Sequence, residues 1–328
     1  MQKLKIEGGG RLSGELEIQG AKNSVLPLLS ACVLVNGEVR LKRCPALSDV
    51  YSAMRILSSL GCKCRRSAAG EVYIDTRGLE STAVSDSLMR QMRSSIIFLG
   101  ALLGRAGECT LSFPGGCELG PRPIDLHLSA LRQLGAKITE EHGALICRCA
   151  NGLRGTQIDL SFPSVGATEN IMLAAVCAKG ETVISNAARE PEICDLADFL
   201  NLCGAKISGA GSQRIVVEGV PRESLHGCEF EVMPDRIAAV TYMCAAAATG
   251  GEVSLHGARM GDIEAVVNLL RQAGCRICAC GDGVCLAANG RLKAVRTVRT
   301  QPYPGFPTDA QAIVMACMAK ARGAGIFV

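Results

Sequence analysis

The stretch Phe113–Pro123, FPGGCELGPRP, sets one thiol, Cys117, among three glycines and three prolines, in a segment that can form neither helix nor strand. Arg122 follows five residues later, just before an apolar helical pattern begins at Ile124. A guanidinium and a helix amino terminus both favour a thiolate, and both attract phosphate. Cys117 is therefore a candidate reactive thiol; the competing reading is one more small hydrophobe. Lys22 and Asn23, in GAKNSVLPLL, stand between a predicted strand and an apolar helix, where a lysine suits a phosphate or carboxylate. A solvated lysine beside an asparagine N-cap fits the same residues. Arg90 and Arg93 in LMRQMRSS, Ser164 with Gly166 in FPSVGATEN, and Asp309 in FPTDAQA open comparable helices. Each can be an ordinary cap, and Asp309 can also act as a general base or hold a hydroxyl.

The elements that must position these groups repeat. Four segments end alike, LSSLGCK, LRQLGAK, LNLCGAK and LRQAGCR, with glycines at 61, 135, 204 and 274 and a period of about 70 residues. Four, seven and eleven residues before each glycine stand apolar residues: Leu57, Met54, Val50; Leu131, Leu128, Ile124; Leu200, Ala197, Ile193; Leu270, Val267, Ile263. That is one helical face, ended by glycine. Before each helix comes Gly-Glu and a short β-prone run, starting at Gly37, Gly107, Gly180 and Gly251, itself preceded by another apolar helix. The unit reads helix, strand, helix, strand, strand, with a further strand leading into the next unit. This predicts an α/β (α+β) fold in which several units share a core. From Gly-Glu to the helix is 13 residues in the first and third units and 12 in the fourth, but 17 in the second. The excess falls in the Cys117 loop, which argues for a task beyond connection. A fifth unit begins at FPTDAQA, and the chain stops at Val328 before its second helix, which reads as a truncated carboxyl end.

The bulk composition sets bounds on partners. With 328 residues, 48% hydrophobic and 20% charged, the chain fills two cores and suits a soluble globular protein. A net charge of +4 permits an anionic small molecule and gives no nucleic-acid footprint. The start, MQKLKIEGGG, has no apolar signal region, and IIFLGALLG is too short to cross a bilayer, so a cytoplasmic protein without membrane contact is expected. The 18 cysteines show no CxxC pairing or HxxxH spacing, so they read as reduced core filler rather than a zinc site. His127, His142, His226 and His256 are scattered, with no triad pattern.

GAKNSVLPLL, MRSSIIFLGALL, FPGGCELGPRPIDLHL, SVGATENIMLAA, NAAREPEICDLADFLNLCGAKISG, PDRIAA and FPTDAQA together resemble the enolpyruvyl transferases along the whole chain. The resemblance implies a two-domain inside-out α/β barrel of such units. One domain spans Ala21 to Glu229; the other joins residues 1–20 to 230–328, with its last units missing and the active site in the cleft. It implies transfer of the enolpyruvyl group of phosphoenolpyruvate to the 3′-hydroxyl of UDP-N-acetylglucosamine, releasing phosphate, as the first committed step of peptidoglycan synthesis. By motif, Cys117 is the proton donor and the site of a covalent adduct, on a loop that serves as lid. Lys22, Asn23 and Arg122 hold phosphoenolpyruvate. Arg93, the run Arg122, Pro123, Ile124, Asp125 and Leu126, and Ser164 with Val165 bind the nucleotide sugar, and Asp309 assists deprotonation of the hydroxyl. No cofactor and no metal is implied. An inactive nucleotide-sugar-binding remnant, or a transferase for another acceptor such as shikimate 3-phosphate, remain as alternative readings. The oligomeric state is open.

Overall fold

The structure, a computed structural model, describes residue 3, residues 5–113 and residues 124–328. The Cys117 loop, with Arg122 and Pro123, lies outside the described residues. The helices are α1 (Lys22–Ala31), α2 (Ser48–Ser59), the single turn α3 (Asp86–Met89), α4 (Phe98–Ala106) and α5 (Asp125–Gln133), then α6 (Val165–Ala175), α7 (Pro191–Leu202), α8 (Arg236–Thr249), α9 (Glu264–Gln272) and α10 (Thr308–Met318).

The chain divides into two compact units, Gly20–Met233 and Met1–Gln19 with Pro234–Val328. In Gly20–Met233 three four-stranded sheets share one topology. A leading strand runs parallel to the strand after Gly-Glu, which pairs antiparallel with the far strand of a hairpin. The orders are Glu229–Glu231, Glu38–Lys42, Val72–Asp75, Lys63–Arg66; then Ala83–Val84, Glu108–Ser112, Ala144–Arg148, Lys137–Glu141; then Gln157–Asp159, Glu181–Ser185, Arg214–Glu218, Lys206–Ser208. The leading strand of the first sheet comes from the far end of the unit, so the three repeats close on themselves. In the other unit Ser13–Glu17 leads Glu252–His256, Gly283–Ala287 and Arg276–Cys280 in the same order. There Thr297–Val298 also pairs parallel with Ile326–Phe327, as a leading strand does in the other sheets.

The glycine terminators do what the repeat demands. Gly61, Gly135, Gly204 and Gly274 have φ of 104°, 100°, 104° and 107°, a left-handed backbone that glycine enters without strain. The twelve apolar positions counted back from them are buried, except Ile124, which is half-buried against the core.

Within Gly20–Met233 the helices α1, α4 and α6 are interior, and the sheets expose one face each. Every residue of α6 from Ala167 to Ala175 is buried, as are Ser24–Ala31 of α1 and Phe98–Leu103 of α4. Helices buried all round need small residues at their crossings. Gly100 of α4 answers that need: a Cβ there would stand 2.2 Å from the Asn170 carbonyl oxygen of α6. Large side chains such as Phe98 and Phe199 are fully buried, and each contributes roughly 2–3 kcal/mol by leaving water. The second unit has its own core, in which α8 packs on α10 and on the strand Glu252–His256.

The cysteines mostly follow the expected reading, with free thiols such as Cys32, Cys62, Cys109 and Cys244 buried in the two cores. Cys280 and Cys285 depart from it and form a disulfide. The hairpin explains this, since it turns between them and brings their Cα atoms to 5.9 Å. Among the described residues no helix is long and apolar enough to cross a membrane, and no cluster of three or more His, Cys, Asp or Glu is placed to hold a metal.

Candidate functional site

Lys22 and Asn23 are the first two residues of α1, and Ala21 is its cap, with extended backbone and no side-chain bond. The N-cap reading of Asn23 is thereby corrected: the side chain sits inside the first turn, where an N-cap hydrogen bond is not its role. Lys22 Nζ lies 3.4 Å from Asp49 Oδ2, in the first turn of α2. Lys22 is 46% exposed, so the pair is worth little to folding and the ammonium stays accessible to an anion. The backbone N–H groups at this helix start favour negative charge on the same side.

Arg93 opens a short 3₁₀ segment, Arg93–Ile97, that runs into α4 and touches both α1 and α6. Arg90 instead pairs with Asp86 on the surface. Arg93 adjoins a buried group that the sequence reading passed over. His127, in the first turn of α5, receives a 2.7 Å hydrogen bond at Nδ1 from Asn170 Nδ2. The orientation of Asn170 is fixed by its other bonds: Oδ1 accepts from Gly100 N–H at 2.7 Å, and Nδ2 also donates to the Ile96 carbonyl at 3.1 Å. Nδ1 of His127 must then be an acceptor, so the neutral ring carries its proton on Nε2. Burial pushes the His127 pKa down to about 4, and the Arg93 cation adds to the effect. A neutral imidazole thus stands beside a permanent positive charge.

The start of α6 closes on the same ring, since a Cβ on Gly166 would stand 3.0 Å from His127 Cε1. Ser164 caps α6, its Oγ accepting from Ala167 N–H at 3.3 Å, and Val165 is half-buried. Ile124 precedes α5 with a non-helical backbone, Asp125 is exposed in its first turn, and Leu126 is half-buried. Arg93, the opening of α5 and the opening of α6 are therefore brought together around His127. Such a group can present hydrogen-bond donors and one cation to a polar anionic ligand.

Asp309 belongs to the other unit. It lies exposed in the first turn of α10, just after Pro307, and lines a recess with Arg236, Asp262, Tyr303 and Gly305. The Tyr303 hydroxyl donates to the Gly261 carbonyl at 3.3 Å across this recess. Burial raises the Asp262 carboxyl, and the Arg259 and Arg236 cations partly offset that. Asp235 caps α8, accepting from the N–H groups of Ile237 and Ala238 at 2.9 and 3.0 Å. Asp49, His127, Asn170 and Asp262 were absent from the sequence candidates. Only Asn170, one of three polar residues beside Thr168 and Glu169 in the otherwise apolar run ATENIMLAA, left a trace that could have found it.

Comparison with known proteins gives these groups a context. The family model for EPSP synthase (3-phosphoshikimate 1-carboxyvinyltransferase) matches residues 6–327. A UDP-N-acetylglucosamine 1-carboxyvinyltransferase 2 of Caldanaerobacter subterraneus is 48% identical over 99% of the chain and 77% of its own length. A UDP-N-acetylglucosamine 1-carboxyvinyltransferase of Nitratidesulfovibrio vulgaris is 46% identical with the same coverage. The expected carboxyl-terminal truncation draws no support from these matches, because the chain covers most of each relative. The enolpyruvyl transferase NikO from Streptomyces tendae superposes with a TM-score of 0.84 at 22% identity, over 97% of this chain and 75% of that one. EPSP synthase from Acinetobacter baumannii superposes at 0.70 and 20% identity, over 98% and 74%. Both structures are alike in fold.

Proposed function

The chain belongs to the EPSP synthase family of enolpyruvyl transferases, and we propose that it moves the enolpyruvyl group of phosphoenolpyruvate to the 3′-hydroxyl of UDP-N-acetylglucosamine, releasing phosphate. The observation that carries this reading is identity of 46–48% over 99% of the chain with relatives named for that transfer. The family model is named for a shikimate acceptor, so the acceptor is the point to test.

The hydroxyl oxygen adds to C2 of phosphoenolpyruvate as a proton adds to C3. Phosphate then leaves the tetrahedral intermediate as the new methyl group loses a proton. Cys117 is the proton donor to C3 and the site of the covalent adduct; this assignment rests on its motif. Lys22, Asn23 and Arg122 hold phosphoenolpyruvate, and the accessible Lys22 ammonium at the start of α1 supports this. Arg93, residues 122–126, Ser164 and Val165 take the nucleotide sugar, and the grouping around His127 supports that. A neutral His127 leaves the positive charge of Arg93 as the local attractor for a diphosphate while keeping a donor at Nε2. Asp309 accepts the proton of the attacking hydroxyl, in keeping with its exposure beside a recess. The two compact units serve as the two domains of the family, and the activity is placed in the cytoplasm, as a step toward peptidoglycan.

The test is phosphate release with each substrate supplied singly and together. Release is expected only with phosphoenolpyruvate plus UDP-N-acetylglucosamine. Fosfomycin, an epoxide, should abolish it by alkylating Cys117, as read by mass spectrometry. Release with shikimate 3-phosphate in place of the nucleotide sugar would move the acceptor assignment, and an unmodified Cys117 would remove that residue from the mechanism.

A further inference from the structure

The strands Arg276–Cys280 and Gly283–Ala287 form an antiparallel hairpin in which Cys278 is paired with Cys285 and Cys280 with Gly283. Side chains alternate along a strand, so Cys278 and Cys280 point to one face. Cys285 points to that face too, because directly opposed residues share a side. Burial agrees: Ile277, Val284 and Leu286 are in the core, whereas Cys278 is exposed and Cys280 and Cys285 are half-buried. Three sulfurs therefore sit together on the outward side of the sheet. Two are joined as Cys280–Cys285, and the third, Cys278, is a free exposed thiol.

Cys285 has two possible partners within bonding reach. The Cα atoms of the existing bridge are 5.9 Å apart. Directly opposed residues in an antiparallel pair have Cα atoms about 4.5–5.5 Å apart, inside the roughly 4.4–6.8 Å that disulfides span. A thiolate beside a disulfide exchanges with it when it can reach one of the sulfurs. We propose that this face is a thiol–disulfide exchange site, at which Cys278 displaces Cys280 from Cys285. The Cys278 thiolate attacks Cys285 Sγ, the Cys278–Cys285 bond forms, the Cys280–Cys285 bond breaks, and Cys280 leaves as a thiolate. The proton given up by Cys278 is taken up through water by Cys280, so no oxidant or reductant is consumed. Low-molecular-weight thiols and disulfides are the external partners of this site. It shares no residue with those assigned to transfer.

The test is trapping of the intact chain. The protein is held at mildly alkaline pH, quenched with an alkylating reagent, cleaved without reduction and mapped by mass spectrometry. The alkyl group is expected to divide between Cys278 and Cys280 in one preparation, with Cys285 bonded to whichever is unlabelled. Label on Cys278 alone would mean a fixed bridge, and label on all three would mean no bridge; either overturns the proposal. A second measurement uses Cys280→Ser treated with oxidised glutathione. The mixed disulfide formed at Cys278 should be resolved by Cys285, giving Cys278–Cys285 and loss of both free thiols. Persistent glutathione on Cys278 beside a free Cys285 would refute the reach argued here. Transferase activity serves in both experiments as the check that the chain is folded.

Discussion

Acid should destabilise the fold through His127. The folded imidazole has its pKa pushed down to about 4, first by burial and second by Arg93. The unfolded ring titrates near 6.5. Between these values the unfolded chain binds a proton that the folded chain refuses. Stability is therefore unaffected above about pH 6.5, falls as pH drops below it, and stops falling below about pH 4. The full span is about 2.5 units, or roughly 3 kcal/mol, and about 2 kcal/mol is lost by about pH 5. His127→Gln isolates the effect. A glutamine keeps an acceptor for Asn170 and has no proton to gain, and the carboxylates that titrate nearby are common to both proteins and cancel in the comparison. Urea unfolding at about pH 7 and about pH 5 should show the wild type losing about 2 kcal/mol more than the variant. A proton NMR titration of the His127 ring in the folded protein gives the pKa directly. A ring that titrates near 6.5, or equal acid sensitivity in the two proteins, would refute the reasoning.

Other perturbations give separable outcomes. Gly100→Ala forces a methyl group toward the Asn170 carbonyl and disturbs the bond from Gly100 N–H to Asn170 Oδ1; urea unfolding should report a loss of roughly 2–4 kcal/mol. Asp195→Ala leaves the buried Ser24 hydroxyl and the Met233 N–H without their shared acceptor, and the free energy of urea unfolding should fall by about 2–3 kcal/mol. Lys22→Ala removes an exposed pair, so stability should change by less than about 1 kcal/mol. Its phosphate release should nonetheless drop by about two orders of magnitude, and unchanged turnover would take Lys22 out of the proposed site. Asp309→Asn should lower turnover with little change in melting, since the side chain is exposed in a first helical turn.

The fold was legible because it repeats. One helical stripe ended by glycine and one Gly-Glu strand, seen four times, are local signals, and averaging over copies separates them from chance. The strands Glu38–Lys42, Glu108–Ser112, Glu181–Ser185 and Glu252–His256 and the four left-handed glycines are their direct outcome. The site was legible only as residue types. His127 looked like a stray histidine because its partners, Asn170 and Arg93, are 43 and 34 positions away. No local pattern encodes a tautomer set by a distant amide. Asn23 looked like a cap because asparagine caps helices, but the cap lies two residues earlier, at Ala21. The bridge between Cys280 and Cys285 was hidden by the count of 18 thiols, since hairpin register, not spacing, decides which two meet.

The first sheet borrows its leading strand, Glu229–Glu231, from the far end of the same unit, and the Ala21 N–H reaches the Met233 carbonyl at 2.8 Å. Entry and exit of Gly20–Met233 are therefore neighbours. A segment with adjoining termini is a cassette: it can be lifted out, rejoined end to end or opened at a surface turn without redrawing any strand pairing inside it. The flanking chain then needs only a short splice where Gln19 and Pro234 were severed.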